Sequence, residues 1–345
     1  MTPLRVAVIG AGNIAQQHLP VLLAHPDCEV ALLCDSDPAT LARTAQRLRS
    51  MGAPPLELVT DVGDVLRRDD LDAAFVLVSV LAVSAVAGAC LEAGLPTFVE
   101  KPPGIASAET ARLAELQQRR GTVAVVGLNR RFYSSHLAAR ERLLALGPLA
   151  TVTVEAHEDL ARVSREKFPP LVLRRWAYAN GIHALDLLRF FGGEVTEVFS
   201  RQETVEGPFP DSFSALLRFA SGASGRAAVD WMAPGRHRFE VRGVGARATS
   251  LGGLGSTELA LRGREPEVLE PDADDRRFKA GFWKQDGAFL AGVRAGRQPP
   301  FPSPSLADAH ATMVLLDRLC GLPAVADAVA EGAGGSVRTA AVSES

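Results

Sequence analysis

The stretch FVEKPPG, residues 98–104, ends an apolar run with two ionisable residues. The run is typical of a buried strand, yet it terminates in Glu100 and Lys101 before two prolines. A lysine ammonium in this position can stabilise developing alkoxide charge or relay a proton. The ordinary alternative is a solvated strand end that is capped by a proline turn.

A second stretch, WAYANGIHALD at residues 176–186, also contains groups that can exchange protons. His183 and Asp186 begin an apolar helix and are spaced so that both side chains can project from one face. A histidine can hold or release a proton near neutral pH, although a satisfied structural histidine is the ordinary alternative. The aromatic and amide side chains just before His183 suit the face and hydroxyls of a sugar. For the tryptophan among them, packing in the core is the alternative. These predicted substrate contacts are Trp176, Tyr178 and Asn180.

A third stretch, GAGNIA at residues 10–15, suits a dinucleotide. It fits the pattern G-x-G-x-x-A, directly after an apolar strand and at the start of a helix. The first glycine permits a tight turn, the second lets a pyrophosphate approach the backbone, and the small third residue allows close packing. The helix N-terminus supplies free N–H groups. The predicted cofactor contacts are Gly10, Gly12, Asn13 and Ile14.

Asp35 follows the second apolar run, about 20 residues beyond the glycine loop, which is the usual separation for a carboxylate that binds ribose hydroxyls. Such a carboxylate accepts hydrogen bonds from NAD and repels the 2′-phosphate of NADP. Neither Ser36 nor Asp37 supplies a compensating arginine. We therefore expect NAD as the cofactor, with NADP less favoured.

The first third of the chain alternates β-branched apolar runs with helical patterns. This rhythm predicts a parallel sheet that is covered by helices on both faces, a Rossmann-type α/β domain. Lys101 would then lie at the carboxyl end of a strand, where doubly wound sheets bind their ligands. The predicted strands are 5–12, 29–35, 72–80, 97–101 and 123–129.

After about residue 130 the pattern changes to alternating residues and glycine turns, which indicate antiparallel strands. We expect an α+β domain built on an open, mainly antiparallel sheet, and an exposed excursion at 262–277. The predicted strand regions are 151–157, 212–231 and 238–251, and the predicted helices are 182–193 and 308–321. The expected organisation is a dinucleotide-binding Rossmann domain at 1–128, a substrate-binding and oligomerisation domain at 129–322, and a tail at 323–345 whose composition favours disorder.

The charge and cysteine content argue against several classes of protein. Lysine plus arginine is 37 against 40 for aspartate plus glutamate, which gives no electrostatic signal for nucleic acid or an anionic membrane. The four cysteines show no metal-ligand or disulfide spacing, so we expect no metal and a reduced cytoplasmic setting. The uncharged segment 73–91 is interrupted by Ser79, Ser84 and Gly88, which favours buried α/β core over a membrane span.

Taken together, these motifs resemble the Gfo/Idh/MocA oxidoreductase family over roughly residues 4–321. The resemblance implies a substrate pocket between the two domains and a homodimer or homotetramer. It implies activity on sugars, sugar nucleotides or cyclitols. The motifs that carry it are GAGNIAQQH with Asp35, CLEAGLPTFVEKPPG, VVGLNRRF (125–132), GIHALDLLRFFGG (181–193) and FEVRGVGA.

The resemblance also implies roles for individual residues. Lys101 and His183 would form the catalytic pair, and Arg131 and Asp186 would line the substrate site. The strand-end residues Ser79, Glu100 and Lys101 would contact the cofactor. The sequence departs from the family's pattern at two places, and these differences affect the expected proton relay and nicotinamide contacts. Ala179 stands where the family often has an acid or amide, and residues 79–84 lack the usual proline and histidine.

These observations predict an NAD-dependent oxidoreductase that acts on a secondary alcohol or ketone of a sugar-like small molecule. One alternative is a glycoside hydrolase of the same fold that retains NAD and releases product without net NADH. A non-catalytic sensor of dinucleotide or sugar is another, although it would not need Lys101 and His183. Four arginines suit a phosphate or carboxylate on the substrate, with solvated surface side chains as the alternative: Arg130, Arg131, Arg174 and Arg175.

Overall fold

The computed structural model describes residues 2–163 and 166–321, which form two sheets. The first sheet has the strand order β3-β2-β1-β4-β5-β6 with all neighbours parallel, and this confirms the predicted doubly wound fold. Its strands are β1 (Leu4–Ile9), β2 (Cys28–Cys34), β3 (Glu57–Val59), β4 (Ala73–Val76), β5 (Thr97–Glu100) and β6 (Ala124–Gly127). The helices between them are α1 (Ala15–Ala24), α2 (Pro38–Ser50), α3 (Val62–Leu66), α4 (Val83–Glu92) and α5 (Ser107–Arg120).

Local sequence signals explain where these elements begin and end. Asp37 caps α2 by accepting hydrogen bonds from the backbone N–H groups of Ala39 and Thr40, with Pro38 in the first turn. The uncharged segment 73–91 divides into β4, a loop and α4, as predicted. In the described part of the chain, no helix is long and apolar enough to cross a membrane.

The second sheet has eight strands in the order β14-β13-β12-β11-β7-β10-β9-β8. Its neighbours are antiparallel except for β7 and β10, which confirms the predicted open, mainly antiparallel sheet. The strands are β7 (Leu149–His157), β8 (Val195–Glu203), β9 (Ser212–Phe219), β10 (Ser224–Asp230), β11 (His237–Gly243), β12 (Ala246–Leu251), β13 (Ser256–Leu261) and β14 (Glu267–Leu269).

Several helices of the second half pack on this sheet, and two pack against helices of the first sheet. The helices of this half are α6 (Ser134–Leu146), α7 (Pro170–Arg174), α8 (Ile182–Gly192), α9 (Ala273–Arg277), α10 (Phe282–Ala295) and α11 (Leu306–Cys320). Short 3-10 turns cover Asn129–Phe132 and Leu160–Arg162, and a π-helical turn, Ala177–Gly181, runs directly into α8.

Two features of the second half were not anticipated. The segment 262–277 is mostly exposed, as predicted, but it contains β14 and α9. The buried carboxylate of Asp275 accepts hydrogen bonds from Ser134 and from the backbone N–H of Gly281 and so fixes α9 in place. In addition, α10 and α11 return to pack on α1 and α5. The proposed division at residue 128 therefore separates the two sheets but not the helices that cover the first one. The predicted tail at 323–345 lies outside the described residues.

Candidate active site

The glycine loop has the shape that a pyrophosphate requires. Gly10 has φ +105°, and a Cβ there would lie 2.5 Å from the carbonyl oxygen of Leu77, so only glycine fits. A Cβ on Gly12 would meet nothing within 4 Å, which leaves open space above the backbone. The first turn of α1 has no side-chain cap, so its N–H groups are available to an anion. Asn13 is exposed and Ile14 is half-buried beside this space.

The half-buried carboxylate of Asp35 lies against this loop. Its Oδ2 accepts a hydrogen bond from the backbone N–H of Ala11 at 2.7 Å, and its Oδ1 accepts one from Asp37 N at 2.9 Å. Each carboxylate oxygen retains acceptor capacity for ribose hydroxyls. Ser79 is exposed in the loop after β4, at the same edge of the sheet. These residues fit a dinucleotide.

Lys101 directly follows β5, and its Nζ donates a hydrogen bond to the carbonyl oxygen of Ala179 at 2.9 Å. Ala179 belongs to the π-helical turn before α8, so this bond links the first sheet to the second half. Burial lowers the pKa of Lys101 to about 8, and the nearby charges of Lys279 and Arg130 contribute to the decrease. The amine can therefore gain or lose a proton near physiological pH.

The neighbouring Glu100 points into the protein and is 4% exposed. Its Oε2 lies 3.5 Å from Nε2 of His18, whose Nδ1 lies 2.8 Å from Oδ2 of Asp286. Burial alone would lower the pKa of His18, but Asp286 and Glu100 raise it to about 9. This placement corrects the predicted cofactor contact, because the carboxylate is used to stabilise a buried imidazolium.

His183 is half-buried in the first turn of α8. Its Nδ1 has no hydrogen-bond partner among the described residues. Burial, with the charges of Lys101 and Arg130, lowers the pKa of His183 well below 6.5. The imidazole is therefore neutral at physiological pH, so one of its ring nitrogens carries no proton.

Arg131 and Asp186 form a buried ion pair, with Arg131 3% and Asp186 2% exposed. Nε and Nη2 of Arg131 donate to the two oxygens of Asp186, each at 2.6 Å. Arg131 also donates to Asp308 at 2.5 Å, and the hydroxyl of Thr312 donates to Asp186 at 2.8 Å. The prediction that these two residues line the substrate site is not supported, because their polar groups are buried and bonded to each other. They hold α8 against α11.

The aromatic residues before His183 also belong to the interior. Trp176 is 5% exposed and its Nε1 donates to Oε2 of Glu158 at 3.0 Å. Tyr178 is fully buried and its hydroxyl donates to Asp317. Core packing was therefore the correct interpretation for Trp176, and the predicted sugar contacts by both rings are wrong. Asn180 is half-buried, and its Nδ2 donates to both carboxylate oxygens of Glu158, at 2.9 and 2.8 Å.

Sequence reasoning missed a polar chain that connects Arg130, His237 and Glu158. Nδ1 of His237 lies 2.7 Å from Nη1 of Arg130 and must accept its proton, so the Nε2–H donates to Oε1 of Glu158 at 2.6 Å. Burial by itself would raise the pKa of Glu158. Hydrogen bonds from His237, Asn180 and Trp176 outweigh this effect and lower the pKa.

Only weak signals in the sequence pointed to these hydrogen bonds between Arg130, His237 and Glu158. Glu158 follows a predicted strand and His237 precedes another. Only the antiparallel pairing of β7 with β11 brings them together. Lys279 was also missed, because it reaches the site from an exposed turn.

Residues 4–128 match the N-terminal domain described as "Oxidoreductase family, NAD-binding Rossmann fold", and residues 145–249 match the Gfo/Idh/MocA C-terminal domain. The chain belongs to the Gfo/Idh/MocA family. This result confirms the resemblance inferred from the motifs, and it identifies the protein as an oxidoreductase with a nicotinamide-dinucleotide domain.

Individual relatives can be aligned with most of this chain. Myo-inositol dehydrogenase Hyg17 of Streptomyces leeuwenhoekii is 28% identical over 84% of this chain and 86% of its own length. A 4-carboxy-2-hydroxymuconate-6-semialdehyde dehydrogenase of Sphingobium sp. is 25% identical over 86% of this chain and 92% of its own. An oxidoreductase from Agrobacterium radiobacter, solved with NAD+, L-tartaric acid and magnesium, shares the fold with a TM-score of 0.77 at 17% identity, covering 96% and 97% of the two chains.

Proposed function

We propose that this protein is an NAD-dependent dehydrogenase or reductase for a secondary alcohol or ketone of a sugar-like polyol. The observation that carries the proposal is the proximity of Lys101 to the segment that positions His183. The amine of Lys101 is bonded to the turn that opens α8, and its charge lowers the pKa of His183. The name of the myo-inositol dehydrogenase relative supports a polyol substrate.

The protein's own residues provide binding and proton transfer. NAD, when bound, supplies the hydride acceptor or donor. The loop at Gly10 and Gly12 would hold the pyrophosphate, and Asp35 would hold the ribose hydroxyls. Lys101 would donate a hydrogen bond to the reacting oxygen of the substrate and stabilise its negative charge. Neutral His183 would accept the hydroxyl proton during oxidation and return it during reduction.

Position 179, where the family often has an acid or amide, is an alanine. Ala179 offers only its carbonyl oxygen, which fixes the amine of Lys101 through one hydrogen bond. Glu100 and Glu158 both raise the pKa of Lys101 against the effect of burial, and Glu158 directly follows β7. We propose that Glu158 positions Asn180 and the turn before His183 and does not itself react with the substrate.

The direct test is nicotinamide absorbance at 340 nm with purified protein, either NAD or NADP, and a panel of hexoses, cyclitols and sugar acids. We expect NADH formation with at least one polyol and a slower reaction with NADP. Glycoside cleavage without net NADH would instead favour the hydrolase alternative. Absence of hydride transfer with every member of the panel, in both directions, would contradict the proposal.

A further inference from the structure

Three cationic side chains meet at the proposed site. Lys101 follows β5 and Arg130 follows β6, and these strands are neighbours with Glu100 opposite Gly127. Lys279 reaches the same place from the turn before α10. The Nδ2 of Asn129 donates to the carbonyl oxygen of Ala280 at 3.0 Å and anchors this turn beside Arg130. The positive charges of all three cations lower the pKa of His183, which agrees with their proximity.

None of the three cations has a carboxylate partner within salt-bridge distance in the part of the chain that the structure describes. Lys101 donates to a carbonyl oxygen, and Arg130 donates to the neutral imidazole of His237 at 2.7 Å. Lys279 is exposed, and its Nζ lies 4.8 Å from the centroid of the Phe282 ring. The site therefore contains positive charge that no side chain neutralises directly.

Two carboxylates lie near these cations. Glu158 accepts hydrogen bonds from the neutral groups of His237, Asn180 and Trp176, so its negative charge offsets only one of the three cations, whereas Glu100 is enclosed against His18. Oxidised nicotinamide would add one more positive charge. A neutral polyol would leave this excess uncompensated beside partly desolvated cations, which is unfavourable.

We infer that the substrate carries an anionic oxygen group, a carboxylate or a phosphate, on the polyol that is oxidised or reduced. This inference rests on the proposed function and specifies its substrate class. Guanidinium and ammonium groups bind such anions through charge-assisted hydrogen bonds. Arg130 and Lys279 would hold the anionic group, and this leaves Lys101 and His183 for the reacting oxygen. Arg131 and Arg175 are 3% and 1% exposed, whereas Arg130 is half-buried and lies near Lys101.

Calorimetric binding to the protein saturated with NADH tests the inference, because an alcohol can bind to this complex but cannot be oxidised by it. The probes are glucose, glucuronate, glucose 6-phosphate, gluconate and myo-inositol. We expect at least one anionic probe to bind at least about tenfold more tightly than the neutral probes, with affinity falling as salt increases. Comparing the affinities of glucuronate and gluconate with that of glucose 6-phosphate shows whether the site prefers a carboxylate or a phosphate. Equal or tighter binding of the neutral probes, or no binding of any anion, overturns the inference.

Variants of Lys279 test the assignment to this residue. Lys279→Gln should reduce the preference for the anionic probe by about tenfold, and Lys279→Arg should retain most of it. Arg277→Gln is the matched control, because it removes an exposed charge from α9. A loss of preference in the Arg277→Gln control equal to that in Lys279→Gln overturns the assignment. Failure of the proposed function is distinguishable, since it would appear as no NADH formation from any probe with NAD.

Discussion

The side chain of Lys101 combines a fixed position with an adjustable charge. Its Nζ is held 2.9 Å from the Ala179 carbonyl oxygen, and burial together with Lys279 and Arg130 lowers its pKa to about 8. Below this pH the ammonium form predominates and can stabilise negative charge on a substrate oxygen. Above it, the amine becomes neutral and that stabilisation is lost.

We therefore predict that kcat/KM for alcohol oxidation decreases as pH rises through about 8. It should be nearly level between pH 6.5 and 7.5, because the pKa of His183 is lowered well below 6.5 and its imidazole is already neutral there. Lys101→Arg keeps the positive charge and should move the decrease above pH 10, since arginine remains protonated there. Steady-state profiles of both proteins provide the test. A wild-type rate that increases through pH 8 would contradict the role of the ammonium and would indicate that neutral Lys101 acts as the base.

Asp35 is the residue that we expect to select the cofactor. Its oxygens lie at the glycine loop, where a 2′-phosphate would meet a negative charge. NAD should bind at least about tenfold more tightly than NADP, corresponding to roughly 1.4 kcal/mol. The double change Asp35→Ser and Ser36→Arg should narrow or reverse this difference. Calorimetry at moderate salt measures both affinities, and equal values in the unmodified protein would contradict the argument.

At the scale of elements, α8 is the helix on which the site depends. The buried pair of Arg131 and Asp186 fixes it to the turn after β6 and to α11. Asp186→Asn should reduce the free energy of unfolding by about 3 kcal/mol or more, because it leaves a buried guanidinium without its bidentate partner. Urea unfolding gives the value. Asp64→Asn is the control, since its ion pair with Arg67 is exposed and should contribute less than about 1 kcal/mol.

The main elements of the fold were predictable because their signals are local. The βαβ rhythm, the glycine loop and Asp35 depend on residues that are close in sequence, and the structure places each of them as expected. Four strands were missed, namely β3, β8, β13 and β14. Most residues of β3, β8 and β14 are exposed, and such a segment lacks the apolar run that identifies a strand.

The site was harder to predict because its polar contacts join distant segments. Trp176 and Tyr178 were assigned to the sugar face, but their polar atoms bond to Glu158 and Asp317. Composition cannot distinguish an aromatic ring that faces a pocket from one that reaches a buried carboxylate. The contact from Arg130 to His237 spans 107 residues, so its existence depends on sheet pairing and not on any motif.

At the scale of the whole molecule, one face of the second sheet carries no helix from residues 2–163 and 166–321. Phe199 and Leu216 are cross-strand neighbours on this face and are 69% and 59% exposed. An exposed apolar pair of this kind is typical of a protein interface, and we predict that the face joins copies of the chain into a dimer or tetramer. Phe199→Glu should shift the protein toward monomer in analytical ultracentrifugation.

The control for this interface is Val244→Glu, which places the same charge on the turn between β11 and β12, where the exposed valine lies away from the open face. Val244→Glu should leave the sedimentation coefficient unchanged. A monomeric wild-type protein at micromolar concentration would contradict the prediction, as would equal dissociation by the two variants.

The central claim is that Lys101 and His183 together move the proton that accompanies hydride transfer. The most direct measurement is single-turnover hydride transfer in Lys101→Met and His183→Ala, with NAD affinity determined separately and His310→Ala as a histidine control on α11. We predict that each site variant loses about 100-fold or more in the hydride-transfer rate while NAD affinity changes little, because neither side chain contributes to the glycine loop or to Asp35. Near-normal hydride transfer in both variants would contradict the claim.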